Sequence, residues 1–296
     1  VLTSTEEQAI TNILNFEQRK NNKIKAFVSS VVNIYRQRLE EAQQSKSGII
    51  GITSKNKNYT SASAINSKKE NSHWNRYRNY LINEHVKNGR WTSDSLESLD
   101  AASTSVLLRL GRPTPENKFD VKGLVLGYVQ SGKTANIMAV VAKAADAGYK
   151  YIIVLSGRTE VLRAQTQSRL IRELEITNGN NRWHVINGDN QNRGLNYTDC
   201  VKIGVYLKTG NVRRNGQYGG SLGGVYEYLN GREDVLIIDD ECDTATPNGL
   251  AAEADAERTI CNRIINEILK WHQRISYIGY SATPFANMLM DPNDLD

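Results

Sequence analysis

The chain has 296 residues, with 37 Lys+Arg against 32 Asp+Glu and a formal net charge of +5. At 39% hydrophobic and 23% charged residues, it lies outside the disordered and fibrous classes and has enough apolar matter for a sizeable core. It has no run of about 18 apolar residues, which excludes a transmembrane helix. The length allows one large domain, or one ordinary domain with a helical extension. Val1 to Ile10 carry acids and polar residues in place of a basic stub and an apolar run, so no secretory signal is visible. An opening Val in place of Met leads to the expectation of a processed or trimmed product. Cys200, Cys242 and Cys261, with His73, His85, His184 and His272, show no CxxC or HxxxH spacing. That argues against a disulfide framework or a structural zinc, and for a reducing, cytoplasmic setting.

The charge is uneven. Residues 1–120 hold 18 Lys+Arg against 12 Asp+Glu, and residues 121–296 hold 19 against 20. A basic extension is a surface that attracts nucleic acid, although solvated helix faces have the same composition.

In chain order, 5–43 has helical composition, with Ile10, Ile13, Leu14, Ile24, Phe27, Val31, Ile34, Tyr35 and Leu39 recurring at threes and fours. Ser45 to Asn71, rich in Ser, Asn and Lys, predicts a long flexible loop, near 45–72. Trp74, Tyr77, Leu81 and His85 share one face of a following helix, where aromatic residues at that spacing are usually packing anchors. Another helix opens at Asp94, with Glu97 in capping-box position, and carries Leu96, Leu99, Val106, Leu107 and Leu110 before Gly111-Arg112-Pro113 stops it. Residues 1–115 are thus expected to form a helical, basic region.

From about Val121 the pattern changes. Apolar β-prone runs at Gly123–Leu126, Tyr151–Leu155, Trp183–Ile186, Val201–Leu207, Val235–Ile238 and Ile275–Tyr280 alternate with helical stretches at Thr134–Ala147, Thr159–Glu173 and Ala251–Leu269. Such alternation predicts an α/β domain over 116–296, built on a mainly parallel sheet covered on both faces.

Gly127-Tyr-Val-Gln130-Ser131-Gly132-Lys133-Thr134 matches GxxxxGK[ST], between a strand run and a helix-forming stretch. Glycines let the backbone wrap around phosphates, while loop amides and the helix N-terminus supply positive charge. Lys133 is expected on the β- and γ-phosphates of ATP, and the Thr134 hydroxyl on Mg²⁺. A glycine-rich turn with an exposed lysine is the plainer reading, and the strand and helix context argues against it.

Val235–Ile238 runs into Asp239-Asp240-Glu241-Cys242-Asp243. A carboxylate at a neighbouring strand end holds the metal, and the next can take a proton from attacking water. Asp240 is assigned to Mg²⁺ and Glu241 to the base, with Asp239 as second choice for the metal. Alone, the cluster also reads as an acidic turn before a helix. The run Ser281-Ala282-Thr283-Pro284-Phe285 is, by spacing alone, a polar strand end.

Taken together, the phosphate loop, Asp-Glu-Cys-Asp and Ser-Ala-Thr resemble motifs I, II and III of superfamily-two helicases and translocases. The segments GLVLGYVQSGKTANIMAVVAKAADAGYKYIIVLSG (123–157), LRAQTQSRL (162–170), LIIDDECD (236–243) and YIGYSATPFAN (277–287) resemble the Z-one domain proteins. These are bacterial proteins with a superfamily-two-like ATPase core, often encoded beside restriction or phage-defence components. The likeness spans roughly residues 74–290. It implies a RecA-like P-loop ATPase domain and a nucleic-acid-dependent motor, with DNA favoured over RNA. It also implies protein partners from a defence system and a second RecA-like domain in a longer chain, of which this would be the N-terminal part. By the same resemblance, Ser281 and Thr283 couple nucleotide state to nucleic acid. Arg163 and Gln165 stand where motif Ia would touch a nucleic-acid backbone, and Lys208 and Thr209 where motif Ib would, both with altered wording. The competing expectation is a nucleotide-gated switch that binds proteins without unwinding nucleic acid. A nuclease reading finds no suitable carboxylate or histidine cluster.

Overall fold

A computed structural model describes residues 49–53, 71–127, 132–176, 182–186, 200–242 and 256–281, with 49–53, 126–127 and 256–259 as backbone only. The expected helix over 5–43, most of the expected loop, residues 128–131 of the expected phosphate loop, and Thr283 lie outside the described residues. Within the expected loop, Ile49–Thr53 is a strand, β1.

The elements after β1 begin with helix α1, His73–Leu81, which continues as a π-helical turn over Ile82–Val86. Helix α2 spans Ser93–Leu107, followed by β2, Phe119–Gly127, and α3, Lys133–Ala147. Strand β3, Tyr151–Ser156, leads to α4, Glu160–Glu173, then to β4, Trp183–Val185, and β5, Val201–Leu207. A small antiparallel pair, β6 (Asn211–Val212) and β7 (Tyr218–Gly219), precedes α5, Gly220–Leu229. Strand β8, Val235–Asp240, helix α6, Ala256–Trp271, and strand β9, Arg274–Ser281, complete the order.

The main sheet runs β1-β2-β9-β8-β3-β5-β4, and the six strands from β2 to β4 all pair in parallel. The expected α/β class with a parallel sheet is therefore observed, an architecture consistent with a RecA-like fold. The crossovers from β2 to β3 and from β3 to β4 run toward one edge, and those from β5 to β8 and β8 to β9 run back. Right-handed crossovers then place α3 and α4 on one face and α5 and α6 on the other. On the second face, Leu222, Val225 and Leu229 of α5 join Ile264, Ile265 and Ile268 of α6 over Ile153, Leu155, Ile237 and Ile275. The adjacent strands β3 and β8 send their helices to opposite faces. In open α/β sheets, ligands bind in the crevice beyond the carboxyl ends at such a reversal.

Helix α3 is buried from Ala135 to Ala145. Its small and apolar side chains on every side suit a helix covered on both sides, and α1 and α2 pack against it. The compact unit that holds the sheet runs from Gly51 to Asp296. Within that unit, the buried faces of α1 and α2 close over α3. Buried Lys143 of α3 lies within hydrogen-bond distance of Asp100 Oδ1 (2.5 Å), Ser103 Oγ (2.8 Å) and Thr104 Oγ1 (2.7 Å) of α2. Asp146 accepts from the backbone N–H groups of His73 and Trp74, each at 2.9 Å. Helix α2 opens earlier than expected, since Thr92 accepts from the Ser95 N–H and serves as its N-cap.

Trp74 is 2% exposed, and the Lys143 ammonium sits 4.2 Å from its ring centroid. Trp74→Ala is expected to lower stability by about 3–5 kcal/mol, read as a shifted midpoint in urea unfolding. A loss under about 1 kcal/mol would place α1 outside the cooperative unit.

Candidate functional site

Strand β2 delivers the chain to Gly127 at the carboxyl edge, and α3 departs from Gly132. Gly132 has φ +80°, a left-handed backbone that favours glycine, and no side chain caps the helix. The first-turn amides of α3 therefore carry partial positive charge at the carboxyl edge of the sheet. Lys133 and Thr134, both half-buried, are its first two residues.

Val125 of β2, Tyr280 of β9 and Asp240 of β8 stand in register across three neighbouring strands. At about 4.8 Å per strand, the strands carrying the glycine-rich loop and the acids lie roughly 10 Å apart. Lys133 spans that gap, with its Nζ 3.0 Å from Asp240 Oδ1. Two of the site residues expected from sequence thus meet directly. Apart from that ammonium, Asp240 Oδ1 is buried without a hydrogen-bond partner among the described residues.

Asp239 and Asp240 point to opposite faces of β8. The Asp239 carboxylate is fully buried, 2.9 Å from the Lys208 ammonium, and its Oδ2 accepts from the Tyr277 hydroxyl at 2.7 Å. The Asp239 carboxylate thus faces Lys208 and Tyr277, and the Asp240 carboxylate faces Lys133. Lys208 is 0% exposed and also donates to the backbone carbonyls of Asp240 (2.7 Å) and Glu241 (2.6 Å). The expectation that Lys208 touches nucleic acid is therefore corrected, because its charge is committed inside the molecule.

Glu241 is exposed and has φ +57°. A non-glycine residue there costs about 1–3 kcal/mol and persists only when its surroundings hold it. Its Oε2 lies 3.7 Å from where a Cβ on Gly157 would stand, at the carboxyl end of β3. The carboxylate therefore reaches the crevice between β3 and β8. The next residue, Cys242, packs into β9, where a Cβ at position 279 would stand 2.7 Å from its Sγ. A larger residue there would have to displace the Cys242 side chain.

Tyr280 links the two halves of the site. Its hydroxyl, fully buried on β9, donates to Asn136 Oδ1 at 2.9 Å, one turn beyond Lys133 on α3. Burial, and secondarily the charge of Asp240, push that hydroxyl far above its ordinary pKa and keep it a donor. Ser281 follows as the last residue of β9 and is buried. Asn136, Tyr277 and Tyr280 lie inside the segments 123–157 and 277–287 that carry the resemblance, but the motif wording gives them no role of their own.

The other expected contacts lie on different elements. Arg163 is on the first turn of α4, with its Nε 2.9 Å from both carboxylate oxygens of Glu160 and its guanidinium also bonded to Gln167. Gln165 on the same helix is exposed. Thr209 is half-buried, and its carbonyl accepts from the Leu222 N–H at 2.9 Å. Gln130, Ser131 and Thr283 lie outside the described residues.

The donor set suits a hard cation shared with a polyphosphate. One carboxylate oxygen with unfilled acceptor capacity and one threonine at a helix start match the few protein ligands that Mg²⁺ takes beside phosphate oxygens. Among the described residues, no group of three or more His, Cys, Asp or Glu could cage a metal alone. Also among the described residues, no helix is long and apolar enough to cross a membrane. No protein-family model matches this chain, and no curated protein matches it.

Proposed function

We propose that this chain is the ATP-binding and hydrolysing domain of a nucleic-acid-dependent ATPase of the superfamily-two type. The observation that carries the reading is the contact of Lys133 with Asp240, which joins the phosphate-loop lysine to the acidic strand end across one intervening strand. Lys133 and the α3 N-terminus would bind the phosphates of ATP, and Gly127, Gln130, Ser131 and Gly132 would supply the loop around them. Thr134 and Asp240 would hold Mg²⁺, which when bound neutralises charge on the phosphates. Glu241 would take a proton from water as its oxygen bonds to the γ-phosphorus, while the bond to the ADP oxygen breaks. On the resemblance to the Z-one proteins, which rests on motif wording, the ATP would be shared with a second RecA-like domain. That domain would supply an arginine worth about 10³–10⁵ in rate, so this chain alone hydrolyses ATP slowly.

The burial of Lys208 and the local bonds of Arg163 favour the second reading, a nucleotide-gated switch for protein partners. ATPase rates measured with single-stranded DNA, duplex DNA and RNA separate the two. The motor reading expects stimulation by a polymer, favouring DNA, and binding that weakens with salt by a log–log slope of about 0.7–0.9 per phosphate contact. Rates and affinities indifferent to every polymer would replace it with the switch.

A further inference from the structure

We propose that Lys208 is a positioning residue for Glu241, clamping the carboxyl end of β8 so that the glutamate faces the crevice. The inference rests on the proposed ATP hydrolysis. A lysine ammonium has three protons, and that of Lys208 meets oxygens from three consecutive residues: the Asp239 carboxylate and the Asp240 and Glu241 carbonyls. Tyr277 of β9 holds the other oxygen of Asp239, and the Cys261 thiol of α6 donates to the Lys208 carbonyl at 3.5 Å. The clamp is thus anchored from a neighbouring strand and from a helix. Its bond to the Glu241 carbonyl fixes the peptide that follows a left-handed residue, and with it the direction in which the side chain leaves the backbone. Released from that bond, Glu241 relaxes toward ordinary negative φ, and its carboxylate swings away from Gly157. Lys208 meets Asp240 at its backbone carbonyl, whereas Lys133 meets the Asp240 carboxylate, so the clamp sets the place of the base and changes nucleotide affinity little.

The test uses the paired variant Lys208→Met with Asp239→Asn, because Lys208→Met alone strands a buried carboxylate and endangers folding. The paired variant is expected to melt cooperatively and bind ATP within about threefold of the unaltered chain. Its single-turnover hydrolysis, with protein in excess, falls about 10²-fold, the scale of a misplacement near 1 Å. Adding Glu241→Gln to the paired variant lowers the rate no further, since the glutamate is already out of place. A merely structural lysine would leave Glu241→Gln its full effect, and that result overturns the proposal. So does a folded paired variant that hydrolyses within about threefold of the unaltered rate. If the unaltered chain neither binds nor hydrolyses ATP, the proposed function fails, and amide hydrogen exchange judges the clamp by itself. Faster exchange confined to residues 240–242 in the paired variant upholds it, and unchanged exchange there removes it.

Discussion

Glu241→Gln is expected to leave ATP binding intact and to lower hydrolysis by about 10²–10⁴-fold, the contribution of a positioned general base. The substitution keeps size and shape but removes the proton acceptor. The Glu241 side chain is exposed, and the bond from Lys208 goes to its backbone carbonyl, so the amide inherits the same tether and the same left-handed backbone. Folding stability should therefore move by less than about 0.5 kcal/mol. Single-turnover rates beside equilibrium ATP titrations read the two effects separately. Hydrolysis at the unaltered rate would mean that the base is another residue and that the acidic strand end serves some other purpose.

Lys133→Ala acts on binding instead. The lysine ammonium bridges two strand ends now, and in the proposed complex it turns to the phosphates. A hydrogen bond to a charged group contributes about 1.5–3 kcal/mol, equivalent to roughly 10–150-fold in dissociation constant. The Lys133 and Asp240 side chains are 21% and 20% exposed, so water reaches the aspartate left behind and the fold survives. The loss then shows in affinity, with the unfolding midpoint little moved.

Much of the sheet was legible in the sequence because buried parallel strands read as short apolar runs bounded by polar ends. Val235–Ile238 and Ile275–Tyr280 fall inside β8 and β9 for that reason. Strand β2 begins at Phe119, four residues before its apolar run, because Asp120 and Lys122 interrupt the apolar pattern of an otherwise well-paired strand. Helix α5 left little trace, since Gly220, Gly223 and Gly224 give it poor intrinsic propensity and tertiary burial of Leu222, Val225 and Leu229 sustains it. The stripes of α1 and α2 announced a buried face but not its partner, which is α3. At the site, Lys133 and Asp240 could be paired from motif spacing. Lys208 could not be placed, because a lysine after a strand looks solvent-bound until the three oxygens around it are known.

Calorimetric titration of the unaltered chain and of Lys133→Ala with ATP, each with and without Mg²⁺, tests the proposed site most directly. The proposed site predicts saturable, Mg²⁺-enhanced binding by the unaltered chain and roughly 10–150-fold weaker binding by the variant. Equal affinity in the two proteins, or no saturable ATP binding by the unaltered chain, would contradict it.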